Sequence, residues 1–319
     1  MQIIIRPFTG SDADYAAMVD VVNSAYPDYP ETVDEVKFGD ANQPAHIKKA
    51  RWMAERDGVA VGYANYHQFE GMYHPRRFGI SAVVPPTCRR QGIGGALYEA
   101  VLAALAEHNP LSVRARYRSD LTASERFLAA RGFAEDMRDW ESRLDVATFD
   151  PTPFLAQAER AAANGIHIVS LAELIARDPE HRARLYDLDM TLSADVPSPE
   201  PFTPISCEQF EKWVFANPNL LPAGYFVALD GTHYVGSSAL WKSQSAPTEL
   251  YTGLTGVRRE YRRMGIALAL KLRAIAFARS YGATVIKTWN ESNNRGMLSI
   301  NEALGFVKQP IWVNVQKTL

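Results

Sequence analysis

Val257-Arg258-Arg259-Glu260-Tyr261-Arg262-Arg263-Met264-Gly265-Ile266-Ala267 is the stretch on which the fold turns. A strand-like run ends at Val257, paired arginines follow, and a glycine opens a long segment of helical period. The same punctuation occurs earlier in the chain: VPPTCRRQGIGGAL begins at Val84, and VRREYRRMGIALAL begins 173 positions later. That offset carries Arg89 onto Arg262, Arg90 onto Arg263, Gly92 onto Gly265, and Gly132-Phe133 onto Gly305-Phe306. It also carries the hairpin signal Asp57-Gly58 onto Asp230-Gly231. Strand–glycine–helix units recur among α/β proteins, but register kept from the hairpin to the late Gly-Phe pair reads as internal duplication.

Outward from the turn, each half repeats one order. A first strand (Ile3–Arg6; Ile166–Ser170) precedes helical stretches, and a hairpin follows. A strand then delivers the chain to the glycine turn and a long helix, which stops at His108-Asn109-Pro110 or at Tyr281-Gly282. Another strand, a short helix closed by Gly132 or Gly305, and terminal strands complete each copy. Asp150-Pro151-Thr152-Pro153 breaks both periodicities, so the expected domains are 1–148 and 149–319. Ser193–Cys207, with four prolines, reads as a long loop inside the second.

Composition sets bounds. The chain has 319 residues, 47% hydrophobic and 22% charged, enough for two cores. A net charge of -2 gives no reason to expect nucleic acid or an anionic membrane as partner. Two cysteines, Cys88 and Cys207, make no disulfide framework, and neither a signal segment nor a long apolar run is evident. The expectation is a cytoplasmic protein. Seven histidines without ligand spacing give metal catalysis no support, so no metal is expected.

The turn has a chemistry. N–H groups at a helix start, with the positive end of its dipole, suit a diphosphate. Gly265 or Gly92 lets the backbone approach an anion, Ala267 or Gly94 keeps the next turn slim, and Arg262-Arg263 or Arg89-Arg90 add charge. Neither a P-loop nor a GxGxxG fingerprint is present. A purely structural turn is the alternative. These residues resemble the GCN5-related N-acetyltransferase family, whose pyrophosphate loop reads Arg/Gln-x-x-Gly-x-Gly/Ala after the fourth strand. Arg262-x-x-Gly265-x-Ala267 and Arg89-x-x-Gly92-x-Gly94 both match. So does Asn294, eleven residues before Gly305, the spacing of the family's later signature.

The resemblance covers nearly the whole chain as a tandem. It implies two α/β (α+β) acyl-CoA N-acyltransferase folds, each a mixed, mostly antiparallel sheet flanked by helices. It implies acetyl-CoA as co-substrate, held in the second copy by Thr255, Val257, Arg262, Arg263, Met264, Gly265, Ile266, Ala267, Asn290, Asn294 and Asn301. The matching set in the first copy is Val84, Arg89, Arg90, Gly92 and Gly94. The expected reaction is acetyl transfer to a primary amine of a small molecule or peptide, by direct attack in a ternary complex. A non-catalytic acyl-CoA-binding or sensing protein is the rival, and monomer and homodimer both stay open.

The copies are not equivalent. Asn290, Asn294 and Asn301 become Tyr117, Leu121 and Leu128 in the first, which is therefore expected to be degenerate. Asn290–Asn294 also reads as a polar loop with a helix N-cap. The family often places a tyrosine acid four residues before the Gly-Phe pair, and here Asn301 occupies that position. Glu249 and Tyr251 alternate on one strand face and are the candidate catalytic residues, base and hydroxyl donor. A solvated strand edge is the alternative for Glu249. Asp187, Asp189, Asp195, Glu200 and Glu208 suggest a negative mouth for a cationic amine, or else a solvated surface.

Overall fold

A computed structural model describes residues 2–319. The first half contains β1 (Ile3–Pro7), α1 (Asp12–Ala25), α2 (Val33–Ala41), β2 (Lys49–Arg56), β3 (Val59–His67) and β4 (Arg77–Val83). It continues with α3 (Ile93–Leu105), β5 (Ser112–Arg118), α4 (Thr122–Ala129) and β6 (Ala134–Asp145). The second half opens with α5 (Leu155–Ala163), β7 (Ile166–Ser170), α6 (Leu171–Arg177), α7 (His181–Ser193) and α8 (Cys207–Phe210). Then come β8 (Leu220–Asp230), β9 (His233–Lys242), β10 (Glu249–Val257), α9 (Ile266–Tyr281), β11 (Val285–Glu291), α10 (Arg295–Ala303), β12 (Val307–Lys308) and β13 (Trp312–Thr318).

Two compact units result, and they are not the two contiguous halves. One comprises the residues up to Met137 together with Trp312–Leu319; the other is Arg138–Ile311. In the first unit the strand order is β1-β2-β3-β4-β5-β13, with β13 antiparallel to β5 from Trp312↔Arg118 to Thr318↔Ser112. In the second it is β6-β11-β10-β9-β8-β7, with β6 antiparallel to β11 from Val285↔Asp145 to Glu291↔Asp139. The last strand of each repeat thus serves the other repeat's sheet, which moves the division from 148/149 into β6. A repeated sequence cannot distinguish pairing within a copy from pairing across copies, because both edges present the same register and pattern.

Within each unit, one helix after the glycine turn covers one sheet face. In the second unit Ile266, Leu270, Ala274, Ile275 and Ala278 of α9 recur at helical spacing, each at most 4% exposed. They pack against Phe226, Ala228, Leu240 and Leu250. A buried leucine of this kind contributes roughly 1.5–3 kcal/mol. The opposite face is covered by α7 and α8, whose Leu185, Leu188, Leu192 and Phe210 meet Tyr225, Val227 and Ala239. In the first unit α1 does this work, with Met18 and Val21 against Met53, Tyr63 and Val83.

Candidate active site

In both units the parallel strand pair beside the glycine turn comes apart. The β4–β5 pairing is confined to Arg77–Gly79 against Ser112–Arg114, and the β10–β11 pairing to Glu249–Tyr251 against Val285–Lys287. Beyond those residues a wedge opens toward the turn.

The turn itself is built twice with the same geometry. Arg89 Nε donates to the Val84 carbonyl at 3.1 Å, and Arg262 Nε to the Val257 carbonyl at 3.1 Å. Arg90 and Arg263 adopt φ of 63° and 68°, and the glycines that follow adopt 82° and 81°. This left-handed pair brings the helix start round toward the wedge. Among the described residues, none accepts from the N–H groups of Gly92–Gly95 or of Gly265–Leu268. Both turns therefore keep the donors a diphosphate requires.

Their surroundings differ. A Cβ added at Gly92 would meet nothing, and the first unit's wedge contains a cavity of about 540 Å³. Val84, Arg89 and Gly92–Gly95 line it together with Tyr98, Phe127, Leu128 and Arg131. This is the size of a small-molecule site. In the second unit a Cβ at Gly265 would lie 3.0 Å from the Gln157 carbonyl oxygen, because α5 rests against one side of the turn. Arg262 and Arg263 stay exposed; Met264, Gly265 and Ala267 are half-buried, and Ile266 is core.

The fourth strands differ as well. β4 pairs with β3 in unbroken register from Tyr63↔Val83 to His67↔Gly79. β10 pairs with β9 at Thr252↔Leu240 and resumes at Thr255↔Ser238, so one extra residue is accommodated at Gly253-Leu254. A bulge bends the strand and frees main-chain groups from the ladder. Thr255 Oγ1 lies 2.9 Å from Ser238 Oγ, and Val257 is buried in the α9-side core.

The asparagines meet each other. Asn301, 1% exposed, donates Nδ2 to Asn290 Oδ1 at 2.7 Å, and its own Oδ1 is buried without a partner. Asn294 caps α10 by accepting from the Met297 N–H at 3.3 Å. The N-cap reading is therefore realised, and its amide nitrogen has no recorded partner among the described residues.

Glu249 and Tyr251 are neighbours, as their alternation requires, but Glu249 is occupied. Its Oε2 takes a 2.6 Å ion pair from Lys287, which is 1% exposed, and the Tyr251 hydroxyl donates to the same oxygen at 3.5 Å. Tyr251 stacks on Trp289 with centroids 5.8 Å apart. Sequence reasoning missed Lys287; its signal was a lysine in the middle of the apolar strand Val285–Trp289. It also missed Lys271, the register equivalent of the cavity-lining Tyr98. Lys271 is 3% exposed, lies 5.1 Å above the Phe306 ring, and has its ammonium pulled down to about 8 by burial.

Most of the expected acidic mouth is neutralised. Asp187 pairs with Arg258, Asp195 with Arg259 and Arg262, and Glu208 with Lys212. Asp189 is different. Its one recorded partner among the described residues is the Ser193 hydroxyl, donating at 3.3 Å, and burial pushes its carboxyl up to about 6.

A split parallel pair, an uncapped glycine turn and a helix on each side define an acyltransferase fold, present twice. The sequence profile of the acetyltransferase (GNAT) family matches residues 16–133 and 183–306, and the chain belongs to that family. It is similar to a mycothiol acetyltransferase of Thermobispora bispora, 28% identical over 234 residues that cover 71% of each chain. A mycothiol acetyltransferase of Salinispora arenicola is 25% identical over 292 residues, 89% of this chain and 85% of that one. A tandem GNAT protein from the clavulanic acid biosynthesis pathway has the same fold, with a TM-score of 0.76 at 18% identity over 99% of this chain and 98% of that one. No helix among the described residues is long and apolar enough to cross a membrane, and no cluster of metal-ligating side chains occurs among them.

Proposed function

We propose that the protein transfers an acetyl group from acetyl-CoA to a primary amine, with the chemistry in the second unit and acyl-CoA binding alone in the first. The observation that carries this reading is the Gly253-Leu254 bulge, present in β10 where the strands part, while β4 keeps unbroken register. Acetyl-CoA supplies the thioester. The residues of the chain orient it: the Gly265–Leu268 N–H groups receive the diphosphate, and the free Asn294 amide nitrogen reaches the same arm. Main-chain N–H groups at the bulge are free of the ladder and suit the oxygen that gains negative charge during attack. Thr255 and Val257 hold the strand against β9 and α9 just beyond that point.

The first unit offers the same donors and a cavity, but its wall carries Leu121 and Leu128 where the second unit has amides. It suits retention of an acyl-CoA without turnover. The rival reading, binding or sensing by the whole chain, makes the opposite forecast in one experiment. Titration calorimetry with acetyl-CoA, run beside a thiol-release assay on primary alkylamines and amino sugars, distinguishes them. Binding with amine-dependent thiol release is expected. Binding without release on any amine would establish the rival.

A further inference from the structure

We infer that Asp189 is the residue that pairs with the acceptor's ammonium group in the second unit and takes its proton before acyl transfer. This deepens the function proposed above and rests on it.

The inference starts from α7. On one flank of that helix Asp187 and Thr191 hold the Arg258 guanidinium, Thr191 Oγ1 accepting at 3.3 Å. Leu188 and Leu192 between the flanks pack on the sheet, and Leu192 closes on Gly256 of β10. Asp189 emerges on the other flank with Ser193. Its carboxylate acts on the Tyr225 phenol, which shares a sheet face with Leu254 of the bulge. There Tyr225 of β8 stands opposite Ala239 of β9, and Ala239 lies across from the bulge. Gly253 and Ala239 are the small members of this row, in contact range of each other.

The groups around Asp189 leave its charge unanswered. β8 presents the Tyr225 phenol, held protonated far above its ordinary range by burial and then by the Asp189 carboxylate itself. β9 presents Ser237, whose hydroxyl is buried without a hydrogen bond of sound geometry, and Ala239. β10 presents Leu254 and Gly256. Tyr186, on the same flank of α7, donates its hydroxyl away to the Ile205 carbonyl. The guanidinium that α7 holds, Arg258, is taken by Asp187. A half-buried carboxylate with no cation beside it is costly, and such groups are paired in the state in which they function. The acceptor of an acetyltransferase arrives as an ammonium ion, the missing partner.

The proton balance is simple. The ammonium gives one proton to Asp189, and the neutral nitrogen forms the N–C bond. The C–S bond breaks with its electron pair on sulfur, the second proton of the nitrogen goes to the departing thiolate, and Asp189 returns its proton to water. A carboxyl whose affinity for protons is raised by burial is a better base than an exposed one.

The test compares the unaltered chain, Asp189→Asn and Asp189→Glu by amine-dependent thiol release from acetyl-CoA, with butane-1,4-diamine and glucosamine as probes, from pH 6 to 9.5. Asp189→Asn should lower kcat/KM for the amine by about 100-fold at pH 7, with the deficit shrinking as pH rises and free amine becomes available. Acetyl-CoA affinity should stay within twofold, and Asp189→Glu should recover part of the rate. Activity of Asp189→Asn within threefold of the unaltered chain at every pH overturns this inference and leaves the acetyltransferase reading standing. Loss of acetyl-CoA affinity in step with activity overturns it too, since that marks a structural role. No thiol release by the unaltered chain with any amine overturns both.

Discussion

Two buried lysines, Lys271 and Lys287, and the half-buried Asp189 bear on both the stability and the proposed chemistry of the second unit. Lys287 and Glu249 answer each other, so Glu249→Gln removes a carboxylate from a buried ammonium. Breaking such a pair costs about 3–5 kcal/mol. The expected result is a large fall in denaturation midpoint, restored by adding Lys287→Met, with thiol release per folded molecule little changed. Loss of turnover without loss of stability would support Glu249 as the base. Lys271 has no carboxylate partner among the described residues, and its folded-state affinity for protons is lowered to about 8. Between there and the ordinary 10.5 the unfolded chain binds more protons than the folded one, so stability rises with pH across that window. Lys271→Met should abolish the rise and stabilise the protein at pH 7 by on the order of 2–3 kcal/mol. Denaturant melts at pH 7 and 10 read both effects. For Asp189 the sign is reversed. Its raised carboxyl destabilises the fold above about pH 6 and is relieved as pH falls below that, so Asp189→Asn should be more stable than the unaltered chain at pH 8. The turn's glycines were legible in sequence because backbone conformation dictates them, and its arginines because they recur at the same offset. Lys271 and Lys287 were not, since burial of a cation depends on what packs over it.

Among the elements, helix starts and strand ends were readable, and the bulge was not. Gly92 and Gly265 announce the turn because φ above 80° excludes most side chains, and the helical period after them is explicit. An extra residue in β10 is invisible without its partner strand, since Thr252–Thr255 reads as ordinary extended chain. The contact of α5 with the second turn was equally hidden: Leu155–Ala163 merely follows the Asp150–Pro153 break, and only its packing against Gly265 makes it part of the site. The two turns call for different experiments. A side chain at Gly265 is strained by φ and crowded by the Gln157 carbonyl, so a substitution there confounds binding with strain. Gly92 has the φ constraint and open space. Gly92→Glu should therefore set a carboxylate against the donors of the first turn and eliminate one equivalent of acetyl-CoA in calorimetry. Gly92→Ala, which carries the backbone strain of roughly 1–2 kcal/mol without the charge, should retain it. Amine-dependent thiol release should persist within threefold in both. If Gly92→Glu abolishes turnover, the chemistry belongs to the first unit.

At the scale of the molecule, duplication and strand exchange together fix which deletions injure which unit. The repeat made a tandem legible, yet contiguous halves would assign Trp312–Leu319 to the second. The pairing of β13 with β5 assigns it to the first. Val313 and Val315, 4% and 5% exposed, are core residues there. The Trp312 ring receives the Arg116 guanidinium at 4.4 Å and meets Tyr29 with centroids 5.6 Å apart. Deleting residues 312–319 removes these contacts and exposes the hydrogen-bonding edge of β5, an aggregation-prone surface. Contiguous halves would predict loss of protection in β7–β11. Exchange predicts that amides of β4 and β5 lose protection in hydrogen exchange while those of β8–β10 keep theirs, and that amine-dependent thiol release survives in the soluble fraction. A chain cut at 148/149 should behave consistently with this. Each fragment then lacks the strand that completes its sheet, so neither should give a cooperative melt alone, and mixing the two during refolding should restore both transitions. Independent folding of the 149–319 fragment, with thiol release at the level of the full chain, would show that the exchanged strands are dispensable to the second unit.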